Sequence, residues 1–328
     1  MPAARPGRSG GGIAGFVVRR VLLGVLVVLL VSVVVFGATQ ALPGDPALAI
    51  LGRSATPESL AALRAQLDLD QPVLTQYVNF LGGLLRGDLG ISLAAQQPVS
   101  QVLGERLGNS AFLVLVAALV SIPLSLALGV VGALRRDRPF DVGSGLVLLA
   151  LASLPEFVVA VFLIILFATT VSTVLPAIST LVPGGNPWDD PLGLVLPVAT
   201  LTAVVTPYVA RVMRASMIEV LESDYVEMAR LKGLPERVVL LRHALPNALG
   251  PTLQVIAINL AYLAGGIVVV EYVFNFQGVG SALQSAVVSQ DLPVVQALAM
   301  LIAAVYVVLN LLADVATILV TPRLRTRL

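Results

Sequence analysis

The sequence predicts an all-α polytopic membrane protein with six transmembrane helices and both termini in the cytoplasm. Three observations predict this fold class: 57% of the residues are hydrophobic with a mean hydropathy of +0.95, the chain contains six long apolar stretches, and its Arg and Lys residues are unevenly distributed. A water-facing surface cannot be built from so apolar a chain. The 328 residues include no cysteine, which excludes disulfides, thiolate catalysis and thiolate metal sites.

Six spans follow from the length that a bilayer requires, because a hydrocarbon core about 30 Å thick needs roughly 20 apolar residues per helix. Stretches of this kind are 13–39, 110–133, 142–175, 192–212, 248–270 and 294–320. The first is longer than the apolar core of a signal peptide and has no small-residue cleavage site, so we expect a membrane anchor. Four prolines inside spans predict kinks, namely Pro123, Pro155, Pro197 and Pro207.

The orientation follows from the basic residues. Sixteen of the 20 Arg and Lys residues lie before or in the first turns of span one, between spans two and three, at the end of span four and in the loop after it, or after span six; the others are Arg53, Arg64, Arg86 and Arg106. The positive-inside rule therefore predicts cytoplasmic termini. The four exceptions lie in the long segment 40–109, where the rule has little force. The short loops assigned to the outside, 176–191 and 271–293, contain no Arg or Lys, which agrees with the six-span count.

We divide the chain into four parts: a cytoplasmic N-terminus with the first transmembrane helix (1–39), an extracytoplasmic helical cap (40–109), a five-helix core (110–322) with a cytoplasmic loop (213–247), and a cytoplasmic tail (323–328). The cap begins with the turn-forming sequence "LPGDPA". In "TPESLAALRAQLDL", Thr56 is suited to cap a helix that Pro57 opens. The alternative is a solvated loop without a partner.

The cytoplasmic loop gathers many charges and the only histidine in "DYVEMARLKGLPERVVLLRHALPN". We expect Asp224 to cap a short helix with Glu227 as in a capping box, Gly233 to end it in the left-handed conformation, and Pro235 to prevent its continuation. So short a helix is marginal in water and should dock against something. The stretch "ERVVLLRHAL" is expected to lie along the membrane surface before Pro246 turns the chain into span five. The alternative is an ordinary loop made basic by the positive-inside rule.

The chain lacks the common catalytic motifs. Its only lysine, Lys232, is followed by Gly233 and Leu234, so there is no phosphate-binding G-x-x-x-x-G-K-[ST] loop and no ATP hydrolysis by that route. The "GSG" at 143–145 is only a fragment of G-x-S-x-G. With His243 as the single histidine, neither H-E-x-x-H nor a histidine pair for a metal exists. A buried serine would therefore have no general base near it.

One spacing in the loop resembles a known signature. Glu227, Met228 and Ala229, then Gly233, then Leu245 and Pro246 resemble the E-A-A, G, I-x-L-P motif of membrane subunits of binding-protein-dependent ABC importers, with Met228 and His243 as departures. Further stretches are similar to the dipeptide, oligopeptide and nickel permease family in its first-subunit (B-type) form, over nearly the whole chain: "PGDPA", "LRGDLGIS", "DYVEMARLKGL", "LRHALPNAL" and "FNFQGVGSALQSAVVSQDLPVVQ".

The resemblance implies a type I (MetI-like) ABC importer permease in the bacterial cytoplasmic membrane. Its partners would be the lipid bilayer, a homologous second permease, an extracytoplasmic substrate-binding protein and two cytoplasmic ATPase subunits or domains that bind ATP and Mg²⁺. This chain would need no cofactor, metal, catalytic residue or nucleic acid of its own. Peptides are the expected cargo, and nickel complexes or other small solutes are the alternative. The implied ATPase-coupling residues are Asp224, Tyr225, Glu227, Ala229, Arg230, Gly233, Leu245 and Pro246, with Ala229 allowing another surface to approach closely.

The pathway residues are less clearly marked. Glu156 is the one acid deep within a span, and a carboxyl group in a membrane is a functional candidate by default. It could attract a peptide amino terminus or another cation, or it could lie near the outer end of a tilted helix and reach water. Gln254 and Asn259 are weaker pathway candidates that could equally form interhelical hydrogen bonds, as could Asn310 and Asp314. Trp188 is most simply an interfacial anchor.

Two other classes of protein compete with this interpretation. An ion-driven secondary transporter predicts inverted repeats or paired intramembrane acids and bases, yet Glu156 and Asp314 have no obvious basic partner in the sequence. A membrane-bound enzyme needs a catalytic constellation, which the sequence does not contain. Neither class explains a two-turn docking helix with the motif spacing.

Overall fold

The computed structural model describes residues 12–41, 46–51, 55–66, 69–169, 171–181 and 184–320. In these ranges the chain is helical, and the only strand-like pairing is an isolated bridge between Ile91 and Pro98. The predicted all-α fold class is therefore confirmed for the described residues. Most of the "LPGDPA" turn and the predicted tail 323–328 lie outside them.

The helices of the first half are α1 (Gly12–Ala41), α2 (Pro46–Leu51), α3 (Pro57–Gln66), α4 (Val73–Arg86), α5 (Val99–Leu134), α6 (Pro139–Ser153) and α7 (Glu156–Ile164), which continues into a π-helical segment, Ile165–Thr169. Those of the second half are α8 (Pro191–Leu221), α9 (Asp224–Leu231), α10 (Glu236–Val238), α11 (Leu245–Val273), α12 (Val279–Val288) and α13 (Leu292–Val320), with a second π-helical segment, Val239–Ala244, between α10 and α11.

Four of the described helices, α1, α5, α8 and α13, are long and apolar enough to cross a membrane, and the count rises to six if two bent helix pairs each form one span. This fits a polytopic membrane protein. Several helices extend beyond the predicted spans: α5 begins at Val99 rather than at 110, and α8 ends at Leu221 rather than at 212. The apolar stretch marks only the part of a helix that lies in hydrocarbon, since backbone hydrogen bonds continue equally well in water.

The α8 helix is the centre of the bundle, because it is the most buried of the four long helices. It packs closely against α5. A Cβ added at Gly129 of α5 would lie 2.6 Å from Met213 Cβ and 2.7 Å from the Ala210 carbonyl oxygen of α8. Small residues let the two backbones approach where lipid supplies no hydrophobic driving force between helices. Pro197 and Pro207 lie inside α8 without ending it.

The predicted third span, 142–175, is wrong as a single helix. It breaks at Leu154 and Pro155, where α6 and α7 meet at 110°. Leu154 is extended (φ −95°, ψ 135°), because the ring of a following proline disfavours the helical conformation, and Pro155 itself has no N–H to donate. The kink that Pro155 predicted is thus a full change of direction.

The first and last long helices, α1 and α13, pack against each other. Arg20 forms a 3.0 Å ion pair with Asp314, and a Cβ on Gly24 would lie 2.6 Å from Val307 Cγ1. The Gln296 side chain also donates to the Thr39 hydroxyl at 2.7 Å. The expectation that Asp314 lacks a basic partner is wrong, because that partner lies at the other end of the sequence.

The segment between α1 and α5 is folded onto the core. The predicted N-cap of α3 is present, since the Ser59 N–H donates to Thr56 Oγ1 at 3.2 Å. Near the end of the segment, the Ser92 hydroxyl and the Leu93 N–H donate to the buried carboxylate of Asp291, which precedes α13; the second bond is 3.0 Å long. A free solvated loop is therefore the wrong description of this segment.

Candidate coupling surface and membrane pathway

The α9 helix begins one residue earlier than expected. Its N-cap is Ser223, whose hydroxyl donates to the Val220 carbonyl instead of accepting a bond from α9, and no side-chain capping bond is present. The predicted capping box of Asp224 and Glu227 is therefore wrong, because Asp224 is already the first helical residue. Both acids lie in the first turn, where negative charge complements the helix dipole.

The end of α9 is as predicted. Gly233 has φ +75°, its N–H donates to the Arg230 carbonyl at 2.9 Å, and the Leu234 N–H donates to the Ala229 carbonyl at 3.4 Å. These bonds form a Schellman motif, in which the left-handed residue is usually glycine. No other atom lies within 4 Å of a Cβ built on Gly233, so the space beside it is open.

One face of α9 packs on its own chain. Val226 and Ala229 are buried against Val239 of the π-helical segment, with Val220 and Leu221 at the end of α8 beside them. Ala229 is only 5% exposed. The small side chain of Ala229 therefore allows other segments of this chain to approach closely, and not the surface of a partner as the resemblance implied.

The opposite face of α9 carries three exposed apolar side chains, which we name the coupling stripe. Tyr225, Met228 and Leu231 are 46%, 57% and 75% exposed. Their spacing of three residues places them along one side of the helix. An exposed apolar stripe surrounded by charged residues is typical of a protein-binding surface.

After the turn at Gly233, the chain forms one continuous helical run from α10 through the π-helical segment into α11. Arg230 and Glu236 form two hydrogen bonds of 3.3 and 2.8 Å across the turn at Gly233, and the bond to Glu236 raises the pKa of Arg230. The prediction that Pro246 turns the chain from a surface piece into span five is wrong: α10, the π-helical segment and α11 follow without a gap. The wide π turn precedes Pro246 and accommodates a residue that cannot donate a backbone hydrogen bond. Leu245 is half-buried beside it.

The α9 helix thus rests on the end of α8 and on the π-helical segment that continues into α11. Next to this cluster, Met213 and Met217 of α8 pack with Ala244 of the π-helical segment, with Ala248 at the start of α11 and with Ala133 at the end of α5. Close packing therefore links α9 to α8 and, through the π-helical segment, to α11.

Polar side chains of α7, α8 and α11 lie near one another within the predicted spans. Tyr262 of α11 interacts electrostatically with Glu156, the first residue of α7, and with Tyr208 of α8. Tyr208 and Tyr262 are 47% and 49% exposed. Gln254 is also exposed, two turns from Tyr262 on α11. These four residues form what we name the polar face.

The other predicted pathway residue lies elsewhere. Asn259 is 9% exposed, and its Nδ2 donates to the Val255 carbonyl one turn earlier at 2.8 Å. Its amide therefore satisfies its own helix, as does that of Asn310, which donates to the Tyr306 carbonyl. The structure brings Glu156 to the polar face and keeps Asn259 inside the chain.

A buried carboxylate at the other end of α11 was not predicted. Glu271 is fully buried and accepts bonds from the Ser110 hydroxyl and from the Gly280 N–H, the latter at 2.6 Å. A Cβ on Gly278 would lie 2.2 Å from the carboxylate, and one on Gly280 would lie 2.4 Å from Val268 Cα. The signal in the sequence is a pair of glycines soon after an acid.

The neighbouring outer loop is also held by a carboxylate. Asp190 caps α8 by accepting from the Gly193 N–H at 3.0 Å, and it accepts from the Thr180 N–H at 2.7 Å and from the Ser179 hydroxyl. Burial raises the pKa of Asp190, but these hydrogen bonds together lower it by more, so that the pKa lies below its usual value. Trp188 is 72% exposed and packs on Phe112 with ring centroids 4.2 Å apart.

In the part of the chain that the structure describes, no three His, Asp or Glu side chains are grouped as a metal ion would need. Comparison with known families identifies the chain. Residues 121–326 match the model of the binding-protein-dependent transport system inner membrane component, and residues 13–114 match the model of its N-terminal part. The chain belongs to this family. It is a multi-pass permease of the bacterial inner membrane, and the resemblance read from the sequence is confirmed.

Curated relatives match over almost their whole length. A permease protein of Brucella abortus (strain 2308), named for a peptide transport system, is 38% identical over 314 residues, covering 94% of this chain and 98% of the relative. The glutathione transport system permease protein GsiC of Shigella flexneri serotype 5b (strain 8401) is 33% identical over 310 residues, with 94% and 98% covered. A permease of Sinorhizobium fredii (strain NBRC 101917 / NGR234), named for a peptide ABC transporter, is 35% identical over 311 residues, with 94% and 99% covered.

Proposed function

We propose that this permease forms half of the translocation pathway of an ATP-driven peptide importer and couples that pathway to cytoplasmic ATPase subunits. The observation that carries the proposal is the α9 helix, which packs with one face on the end of α8 and on the π-helical segment that continues into α11, and exposes the coupling stripe with the other. A stripe of this kind on a two-turn helix supports a docking site for a soluble partner. The names of the relatives support peptides as the cargo.

The partners follow from the surfaces that remain uncovered. Exposing the tyrosines and the carboxyl group of the polar face to lipid would cost free energy, because they lie within the predicted spans. This supports an aqueous pathway on the polar face and a homologous second permease that closes it. Two ATPase subunits or domains would hold ATP and Mg²⁺ and contact the coupling stripe. A substrate-binding protein would deliver the peptide to the extracytoplasmic side, where the segment between α1 and α5 lies.

The proposed topology has six spans and cytoplasmic termini in the type I (MetI-like) arrangement. Four long helices and two bent pairs support the number of spans. The Arg and Lys distribution supports the orientation, which places α9 and the end of α8 in the cytoplasm.

The proposed mechanism joins these parts. Closure of the ATPase subunits on nucleotide displaces α9, and the buried contacts of Val226 and Ala229 pass the displacement to α8 and α11. Because α8 carries Tyr208 and α11 carries Tyr262, the same movement changes the distance between polar groups of the polar face. The pathway then alternates between its two sides.

The test is uptake of labelled di- to pentapeptides in a strain that lacks this chain, complemented by the native chain, by Gly233→Asp or by Gly87→Asp. Asp tolerates left-handed φ values better than most residues, and the space beside Gly233 is open, so the substitution projects a charge from α9 at small internal cost. Gly87 is the matched control, because it also ends a helix with a left-handed φ and an open Cβ position, but it follows α4, outside the predicted spans and away from the stripe.

We expect the native chain to restore uptake and Gly233→Asp to restore little, with substrate-stimulated ATP hydrolysis lost to a similar extent. Equal restoration of uptake by the native chain and by Gly233→Asp would refute docking at α9. No peptide defect in the deletion strain would refute peptides as the cargo, and nickel complexes or other small solutes would then be tested in the same strain.

A further inference from the structure

Three helices that pack against one another carry one carboxyl group and two aromatic hydroxyls. Glu156 opens α7, Tyr208 lies on α8 and Tyr262 lies on α11. Tyr262 interacts electrostatically with both of the others.

The break between α6 and α7 is what exposes the carboxyl group. The chain turns by 110° at Leu154 and Pro155, so Glu156 opens a new helix instead of continuing α6. Its side chain makes no capping bond to α7, whose N-cap is Pro155. The carboxyl group is therefore not used in capping its own helix.

Glu156 differs from two other acids of the long helices. Asp141 pairs with Arg214 and Asp314 pairs with Arg20, whereas none of the ion pairs in the described part of the chain includes Glu156. A carboxyl group in a membrane helix is a candidate functional group.

The surroundings of Glu156 favour one kind of cation as its partner. Tyr208 and Tyr262 are half-exposed, so their rings and hydroxyl groups are accessible beside the carboxyl group. Aromatic rings attract ammonium groups through their π faces, and a carboxylate forms charge-assisted hydrogen bonds with them. The combination suits an alkylammonium group better than a hydrated metal ion, which prefers several oxygen ligands.

We propose that Glu156, Tyr208 and Tyr262 form an ammonium subsite of the pathway, which binds the charged amine of a peptide as it crosses the membrane. This inference rests on the proposed function, because it names the chemical group of the cargo that this site contacts. The amine is either the peptide amino terminus or a lysine side chain, which share the same chemistry.

The experiment uses the whole importer, reconstituted in liposomes with its binding protein, and compares the native chain with Glu156→Gln, Glu156→Asp and the control Glu58→Gln. Glu58 is an exposed acid of α3, outside the membrane helices. Two labelled peptides are supplied: a lysine-free tripeptide with a free amino terminus, and an N-acetylated tripeptide that contains one lysine. Uptake and peptide-stimulated ATP hydrolysis are measured together.

We expect Glu156→Gln to lower uptake of at least one peptide about tenfold, which corresponds to about 1.4 kcal/mol. Glu156→Asp should keep most of the rate, and Glu58→Gln should equal the native chain. ATP hydrolysis should persist in every variant. A loss for the first peptide only identifies the amino terminus, a loss for the second identifies lysine, and a loss for both identifies any ammonium group. Native uptake of both peptides by Glu156→Gln would overturn the subsite.

A second measurement does not depend on the stability of the Glu156 variants. A photo-crosslinking p-benzoyl-phenylalanine replaces Tyr208 or, as the control, Leu119, which is 65% exposed on α5. Crosslinks to labelled peptide should form at 208 only during turnover and should not form at 119. Equal labelling at both positions would contradict the subsite. If the native importer carried no peptide, the proposed function itself would fail, and that result is distinct from either outcome.

Discussion

In the proposed topology, the C-terminal end of α11 is its outer end and the N-terminal end is its inner end, and the two are held by different kinds of contact. At the outer end, the fully buried Glu271 carboxylate joins α11 to Ser110 of α5 and to Gly280 of α12. At the inner end, α9 is held by a small apolar cluster around Val226 and Ala229 and by an exposed ion pair. Buried carboxylates with matched donors fix one geometry, whereas a few apolar contacts allow two packed helices to slide. The comparison predicts a rigid outer end and an inner end that can move.

The largest effect should come from Glu271→Ala. This change leaves the Ser110 hydroxyl and the Gly280 N–H buried without their acceptor and should lower the free energy of unfolding by about 3–5 kcal/mol. Thermal unfolding of the purified permease in detergent measures it. Glu271→Gln keeps one acceptor oxygen and should lose less. No loss in Glu271→Gln would mean that the volume of the side chain, and not its two carboxylate acceptors, holds the outer end.

Gly280→Ala should also destabilise the outer end, by about 1–3 kcal/mol, because the new methyl group would overlap the backbone of α11 at Val268. The matched control, Gly250→Ala, adds a methyl group inside α11 where no atom lies within 4 Å, and it should stabilise the helix by about 0.5–1 kcal/mol. The same unfolding measurement compares the two. The same sign of change in both variants would contradict the close contact.

Asp291→Ala should release the segment between α4 and α5. The Ser92 hydroxyl and the backbone N–H groups of Leu93 and Ala94 lose their shared acceptor, at a cost of about 2 kcal/mol. Limited proteolysis from the extracytoplasmic side should then cut residues 88–98 faster than in the native chain. An unchanged cleavage rate would show that other contacts hold this segment.

At the inner end, Leu231→Ser should change function more than stability. Leu231 is 75% exposed, so its replacement should alter the free energy of unfolding by less than about 0.5 kcal/mol. Loss of an apolar anchor at an interface should lower ATP hydrolysis by the assembled importer about fivefold to tenfold. Leu241→Ser is the control, because Leu241 is 67% exposed but lies outside the coupling stripe. Equal effects of the two variants would argue against the stripe.

Arg230→Ala should have the smallest effect. The Arg230 and Glu236 side chains are 42% and 55% exposed, and exposed ion pairs contribute at most about 1 kcal/mol. The small loss of stability, measured by thermal unfolding, should shrink further as salt is added. A loss as large as that of Glu271→Ala would mean that the inner end is as rigidly fixed as the outer one.

The sequence predicts what depends on nearby residues. Gly233 ends α9 as expected, because a left-handed terminus is a local property, and Pro155 marks the break in the third span for the same reason. The α9 cap was misplaced by one residue, because Ser223 and Asp224 are both good capping residues and only the backbone decides between them.

Contacts between distant residues could not be predicted. Glu271 lies at the start of a loop in the sequence, yet its partner Ser110 belongs to a helix 161 residues earlier. The partner of Asp314 is Arg20, at the opposite end of the chain. The polar face is of the same kind: Glu156 stands out by its charge, but Tyr208 and Tyr262 become its neighbours only after three helices have packed.

The packing of α1 on α13 constrains how the permease is made. About 250 residues separate the two helices, so at 5–20 residues per second the ribosome needs roughly 12–50 s to produce the partner of α1. During that time α1 must persist alone in lipid, and its exposed surface of Leu and Val suits it to do so. Because the Arg20–Asp314 ion pair closes only when the final helix inserts, a nascent chain that stops early leaves an unpaired arginine that membrane quality control could recognise.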